Sequence, residues 1–149
     1  MIVHIITRLA MGGAQQLVFD ITKNLKNDKK KVLIITGLSD TEKSLSAVDN
    51  NILKLVKKNN IPVEVIPCLH DLINIFKDIK SLYLLYNSLK KIAPAIVHIH
   101  SSKAGILGRI ACAVLGIKSV IYHIHGWSYS RANGVSKWFY FWLEKIFYV

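Results

Sequence analysis

Five times along this chain a short, unbroken apolar run gives way to a segment with helical periodicity. The runs are Ile2 to Thr7, Val32 to Thr36, Val63 to Ile66, Ile96 to His100 and Val120 to His125. Continuous rather than alternating runs are what a parallel sheet needs when helices cover both of its faces. Between the runs, apolar residues recur at three- and four-residue steps, as on a helix with one buried face. Ala14, Val18, Ile21 and Leu25 form the first stripe. Leu45, Val48, Ile52, Leu55 and Val56 form the second, and Leu72, Ile75, Ile79, Leu82, Tyr86 and Leu89 the third. Ala104 to Leu115 reads as a helix closed by Gly116, and a last helix begins near Ser136. The order predicts a Rossmann-like, doubly wound parallel α/β sheet. Val63 to Ile66, held between Pro62 and Pro67, is expected at or near an edge.

A chain of 149 residues is about one domain, and 52% hydrophobic content supports a packed core rather than a disordered polycation. Met1 to Thr7 has no basic segment before a long apolar run, so no secretory signal is expected. No stretch reaches the roughly 18 apolar residues of a spanning helix. Cys68 and Cys112 stand far apart in unrelated contexts, which fits a reduced, cytoplasmic protein better than a disulfide scaffold. The net charge is +11, with lysines clustered at 23–31, 54–58, 77–80 and 90–91. These clusters read either as solvated helix faces or as contacts for an anionic partner such as the inner membrane surface. No aromatic platform is interleaved with them, so no nucleic-acid partner is expected.

In doubly wound sheets, ligands sit outside the carboxyl ends of the strands, and three post-strand loops are unusual. The first, Arg8 to Gln15, carries Gly12-Gly13 ahead of a helix. The pair reads either as a tight turn needing positive φ or as a place where backbone meets an anion at a helix N-terminus. It matches neither the dinucleotide fingerprint nor a phosphate-binding P-loop, and Asp40 comes too late to be a ribose-binding acid. The second, His98 to Gly105, holds Ser101, Ser102 and Lys103. These serve either as a helix cap or as an anion or sugar-hydroxyl site. Ala104, Gly105, Gly108 and Ala111 are small enough to bring their helix close to the sheet. The third runs from His123 to Arg131. Two His-Ile-His pairs invite a zinc reading, but no neighbouring Cys, Asp or Glu completes a tetrahedral set. His98 and His123 are expected to be hydrogen-bonded core histidines.

Taken together, three passages resemble the amino-terminal domain of the GT-B glycosyltransferases of the retaining family 4. They are HIITRLAMGGAQ at 4–15, PAIVHIHSSKAGILGRIACAVLGIKSVIYHIHGWSY at 94–129 and WLEKI at 142–146. The resemblance implies transfer of a sugar from a nucleotide-sugar donor to a saccharide or lipid-linked acceptor, with retention, in cell-surface polysaccharide synthesis. It implies no metal and no cofactor beyond the donor itself. Gly12 and Gly13 match the loop against the donor diphosphate and acceptor, and Gln15 stands where many members have glutamate. His125, beside Gly126, matches the histidine that reaches the transferred sugar. Ser101, Ser102 and Lys103 match a passage facing the cleft.

The same resemblance implies that residues 1–149 form an incomplete amino-terminal domain. It would be truncated before its last strands and would lack the nucleotide-sugar-binding second domain. Such a chain is expected to be inactive alone, and a carboxy-terminal domain or separate subunit would complete it. Ten of the fourteen aromatic residues fall between Tyr122 and Tyr148, and the last helix, with Trp138, Phe139, Phe141, Trp142, Phe147 and Tyr148, is expected to expose an apolar patch. A nucleotide-binding Rossmann protein and a non-catalytic interaction module are the alternatives.

Overall fold

The computed structural model describes residues 1–10, 12–37, 51–70 and 74–125. Within them the chain alternates as β1 (Ile2–Ile6), α1 (Gly13–Asn27), β2 (Val32–Gly37), α2 (Asn51–Lys58), β3 (Val63–Ile66), α3 (Ile75–Ile92), β4 (Ile96–His100), α4 (Ser102–Leu115) and β5 (Val120–His123). The five strands form one sheet in the order β3-β2-β1-β4-β5, and every pairing is parallel. This is the doubly wound arrangement that the apolar runs predict, with β3 at an edge as its flanking prolines require. The order reverses between β1 and β4, so the crevice beyond their carboxyl ends is the place for a ligand.

Side chains of successive strand residues alternate between the two faces. One face carries Val3, Ile5, Ile35, Val97 and Ile99, buried with Leu85 and Leu89 of α3 and Ala104, Leu107, Ala111 and Cys112 of α4. Burial raises the Cys112 thiol pKa to about 11 and keeps it protonated. The other face carries Ile6 and Ile34, packed under Val18 and Phe19 of α1 and Ile52 and Val56 of α2. Further along that face, β1, β4 and β5 present histidines instead of aliphatic residues.

The small residues of α4 act as expected. A Cβ on Gly105 would lie 2.5 Å from the Tyr122 ring, and one on Gly108 would lie 2.9 Å from Ile99. The Arg109 guanidinium covers the same Tyr122 ring at 4.4 Å. Gly116 ends the helix in the left-handed conformation.

The third helical stripe is corrected by the structure. Its buried residues are Ser81, Leu85, Ser88 and Leu89, whereas Ile75 is 70% exposed and Ile79 is 62% exposed. The inner face is turned because two serines allow close approach, with the Ser88 hydroxyl donating to Glu64 at 2.7 Å. Phe76 and Tyr83 join Ile75 and Ile79 in an exposed apolar strip, at 86% and 65% exposure. No helix among the described residues is long and apolar enough to cross a membrane. The helix expected after Ser136, with its aromatic residues, lies outside the described residues, as do Asp40, Leu45, Val48, Leu72 and Gly126.

Candidate functional site

Gly12, Ser101 and His125 all follow the carboxyl ends of strands, at one edge of the sheet. Thr7, just beyond β1, donates its hydroxyl to Ser101 Oγ at 3.1 Å, closing the crevice at the point where strand order reverses. Ser101 sits at the N-cap of α4, yet its side chain makes no cap hydrogen bond. Its φ of 67° is the left-handed region, costly for a residue with a Cβ. The capping expectation therefore fails for Ser101, whose hydroxyl is turned to Thr7 instead. Ser102 begins α4 half-buried, and Lys103 is ion-paired with Asp78 of α3 at 2.6 Å. That pair fastens the first turn of α3, and the exposed strip it starts, beside the loop after β4.

The glycine pair does not serve a left-handed turn, because among the described glycines only Gly116 has a positive φ of that kind. Its use is space. A Cβ on Gly13 would meet nothing within 4 Å, and one on Gly12 would meet only the flexible end of Gln15. The two glycines line an open groove of about 770 Å³ with Gln16 of α1 and Ile52, Lys54, Leu55 and Lys58 of α2. The N-terminus of α1 opens here, so unpaired backbone N–H groups and two ammonium groups converge on a partly apolar floor. A diphosphate joined to a hydrocarbon chain has matching chemistry: charge at one end and apolar bulk at the other. Lys54, Lys58 and Gln16 are the residues that reading the sequence missed. Their lysine cluster was visible, but the direction in which it faces is set by how α2 packs on α1.

Across the sheet lies a row of five histidines. In the parallel register His4 pairs with His98 and His100 with His123, so all share one face with His125. The His98 and His100 ring centroids are 4.1 Å apart, and those of His123 and His125 are 4.4 Å apart and nearly parallel. His4 Nδ1 lies 3.3 Å from His100 Nε2, and His100 Nδ1 lies 3.1 Å from His125 Nε2. His4 and His100 are fully buried, while His125 is exposed. Burial, reinforced by His98, pushes His4 down to about pKa 4, and burial with its four imidazole neighbours pushes His100 lower still. His98 and His125 are lowered too, by burial first and by neighbouring imidazoles second. His4 and His100 are therefore neutral near pH 7.

Two sets, His4-His98-His100 and His100-His123-His125, hold ring nitrogens within 4.8 Å of one another. Neither includes a carboxylate or thiolate among the described residues, and the closest nitrogens are engaged in ring-to-ring hydrogen bonds. The expectation of hydrogen-bonded core histidines fits His4 and His100 better than the two residues named for it. His98 is half-buried, and its Nε2 has no hydrogen-bond partner among the described residues. His4 was missed because a single histidine in an apolar strand carries no signal until β1 is placed beside β4.

The fold has counterparts among known proteins. Residues 11–149 match the family described as Glycosyltransferase Family 4. The chain is 46% identical over 80 residues to the UDP-Gal:alpha-D-GlcNAc-diphosphoundecaprenol alpha-1,3-galactosyltransferase of Escherichia coli. That match covers 53% of this chain and 21% of the relative, so only a fifth of the relative's length is spanned. Among solved structures, MurG of Acinetobacter baumannii superposes with a TM-score of 0.62 at 21% identity, over 87% of this chain and 37% of its own. HepE of Anabaena, in complex with UDP and glucose, gives 0.63 at 18% identity, over 89% of this chain and 32% of its own. At such identities the structures show a shared fold.

Proposed function

This chain belongs to glycosyltransferase family 4, and from that premise we propose that it forms the acceptor-side domain of a retaining enzyme of cell-surface polysaccharide synthesis. The donor is a nucleotide sugar, and the acceptor is a saccharide carried on a lipid diphosphate. In the transfer, the bond from the sugar's anomeric carbon to the donor diphosphate breaks, a bond to an acceptor hydroxyl oxygen forms with the same configuration, and that hydroxyl's proton passes to the departing diphosphate. The observation that carries this reading is the groove of Gly12, Gly13, Lys54 and Lys58 at the amino end of α1. Its apolar floor of Ile52 and Leu55 suits a prenyl chain, and its charges suit the diphosphate. The relative named above acts on a diphosphoundecaprenol-linked sugar, which is the same chemical class.

In this reading His125 contacts hydroxyls of the transferred sugar, while Gly12 and Gly13 let the acceptor and donor phosphates approach the backbone. Gln15, Ser101, Ser102 and Lys103 complete the rim, and Gly126 keeps the role that the family resemblance gives it. Fixed donors and charges of this kind favour a reaction in which negative charge develops on a departing diphosphate, because they need no reorganisation as it forms. No step requires a metal bound by this chain.

Binding tests this reading independently of turnover. Titrated with a short-chain prenyl diphosphate bearing GlcNAc, the chain is expected to bind, and the Lys54→Glu/Lys58→Glu double variant to bind at least about tenfold more weakly, near 1.4 kcal/mol. Equal affinity of wild type and variant would remove the groove from the acceptor site.

A lipid-linked acceptor also implies work at a membrane surface. The exposed strip Ile75, Phe76, Ile79 and Tyr83 is flanked by Lys77 and Lys80 and fastened beside the site through Asp78 and Lys103. Apolar insertion with basic flanks is how a peripheral protein holds an anionic bilayer. The chain is expected to co-sediment with phosphatidylglycerol-containing vesicles at low salt, and Phe76→Asp/Ile79→Asp to leave most of it in the supernatant. Undiminished sedimentation of that variant would move the contact elsewhere.

A further inference from the structure

Three rings, His4, His100 and His125, are joined by two nitrogen-to-nitrogen hydrogen bonds, at 3.3 Å and 3.1 Å. A neutral imidazole has one N–H donor and one bare, accepting nitrogen. Each contact needs one of each, so the three tautomers are not independent. Two arrangements satisfy both bonds. In one, every ring is protonated on Nδ1: His4 donates to His100, and His100 donates to His125. In the other, every ring is protonated on Nε2 and both bonds run the opposite way. Any mixture sets two protons or two lone pairs face to face.

The ends of the chain choose between them. His4 Nε2 is buried and has no hydrogen-bond partner among the described residues. The Nε2–H arrangement would strand a proton donor there, whereas the Nδ1–H arrangement leaves only an accepting lone pair. Orphaned buried donors are rarer than under-used acceptors, consistent with a greater cost. At the exposed end the same choice puts a donor on His125 Nδ1, where water or ligand can satisfy it. The lowered pKa values of His4 and His100 agree, since both rings must be neutral for the chain of bonds to form as described.

We propose that His100, its far nitrogen buried against His4, is a positioning residue that holds His125 in its Nδ1–H tautomer, so that it meets a sugar oxygen as a hydrogen-bond donor. An isolated histidine side chain favours the Nε2–H form, so the buried relay reverses the intrinsic preference. The identity of the ligand rests on the function proposed above, but the tautomer does not.

Long-range proton–nitrogen NMR of the imidazole rings in the nitrogen-15-labelled chain near pH 7.5 reads the tautomer directly, with no substrate present. The expected spectrum shows His125 protonated on Nδ1 and His4 Nε2 bare. Substituting His4→Leu moves the buried end of the relay to His100 Nε2, which the same rule keeps bare, so His125 is expected to remain in the Nδ1–H form. His100→Leu, which removes the donor facing His125, is expected to convert His125 to mainly the Nε2–H form, while His100→Gln, which keeps an N–H donor, should restore the Nδ1–H form. A wild-type His125 protonated on Nε2 overturns the proposal even if no variant folds. So does a His125 tautomer unmoved by folded His100→Leu, or one converted by folded His4→Leu. With the relay intact, failure of the prenyl diphosphate titration counts against the functional reading alone.

Discussion

Replacing Gly37 by alanine is expected to destabilise the fold by more than about 4 kcal/mol, a large share of the roughly 5–15 kcal/mol by which a typical domain is stable. Gly37 ends β2 with its N–H donating to the Thr7 carbonyl at 3.1 Å. A Cβ there would run into the backbone carbonyl of Leu69 and stand 2.5 Å from that of Thr7. Backbone on two sides cannot turn away as a flexible side chain would, so the strand ends must separate. Thr7 is also the residue whose hydroxyl reaches Ser101, so the damage would spread to the crevice where strand order reverses. Urea denaturation of wild type and Gly37→Ala measures the loss. A difference below about 1 kcal/mol would mean that these carbonyls are not so close in solution.

The second large effect is acid lability. His4 and His100 are held neutral by burial, with folded pKa values below the ordinary 6.5. The unfolded chain therefore binds more protons than the folded one as pH falls below about 6.5, so stability is full above that value and declines below it. At pH 4.5 each ring has removed about 2–3 kcal/mol, from 1.36 kcal/mol per pH unit over the two units below 6.5. Together they remove about 5 kcal/mol, comparable to the stability of a small domain. Denaturant midpoints between pH 7.5 and 4.5 should fall steeply, and most of that range lies above carboxylate titration. The His4→Leu variant, with one buried imidazole fewer, should show a shallower fall. Equal stability at both pH values would mean that the rings are charged or solvated in the folded protein.

Much of the fold was legible from local chemistry. The five apolar runs became five parallel strands, the prolines around Val63 to Ile66 marked an edge strand, and Gly116 ended α4. Each of these signals resides in a few neighbouring residues, where steric and solvation rules act directly. The loops after the strands were singled out by the rule that ligands of doubly wound sheets gather at that edge, and the structure brings Gly12, Ser101 and His125 there. The stripe on α3 was misread because Ile75 and Ile79 keep the helical period but face outward. Only contact with the sheet shows that Ser81 and Ser88 are the inner residues.

The site shows the same division more sharply. Gly12 and Gly13 could be named from the chain, but not the reason for them. That reason is open space shared with Lys54 and Lys58, which stand about forty residues away and reach the same groove through α2 packing on α1. The two His-Ile-His pairs were visible, yet they lacked the partner that makes them a relay. His4 enters from β1, ninety-six residues before His100, and only the register of β1 against β4 sets the two rings within hydrogen-bond reach. Amino-acid order alone thus determined the layers and the family, since periodicity and turn chemistry are local. Which groups share a groove or a hydrogen bond depended on strand register and helix packing, which join residues that the linear chain keeps far apart.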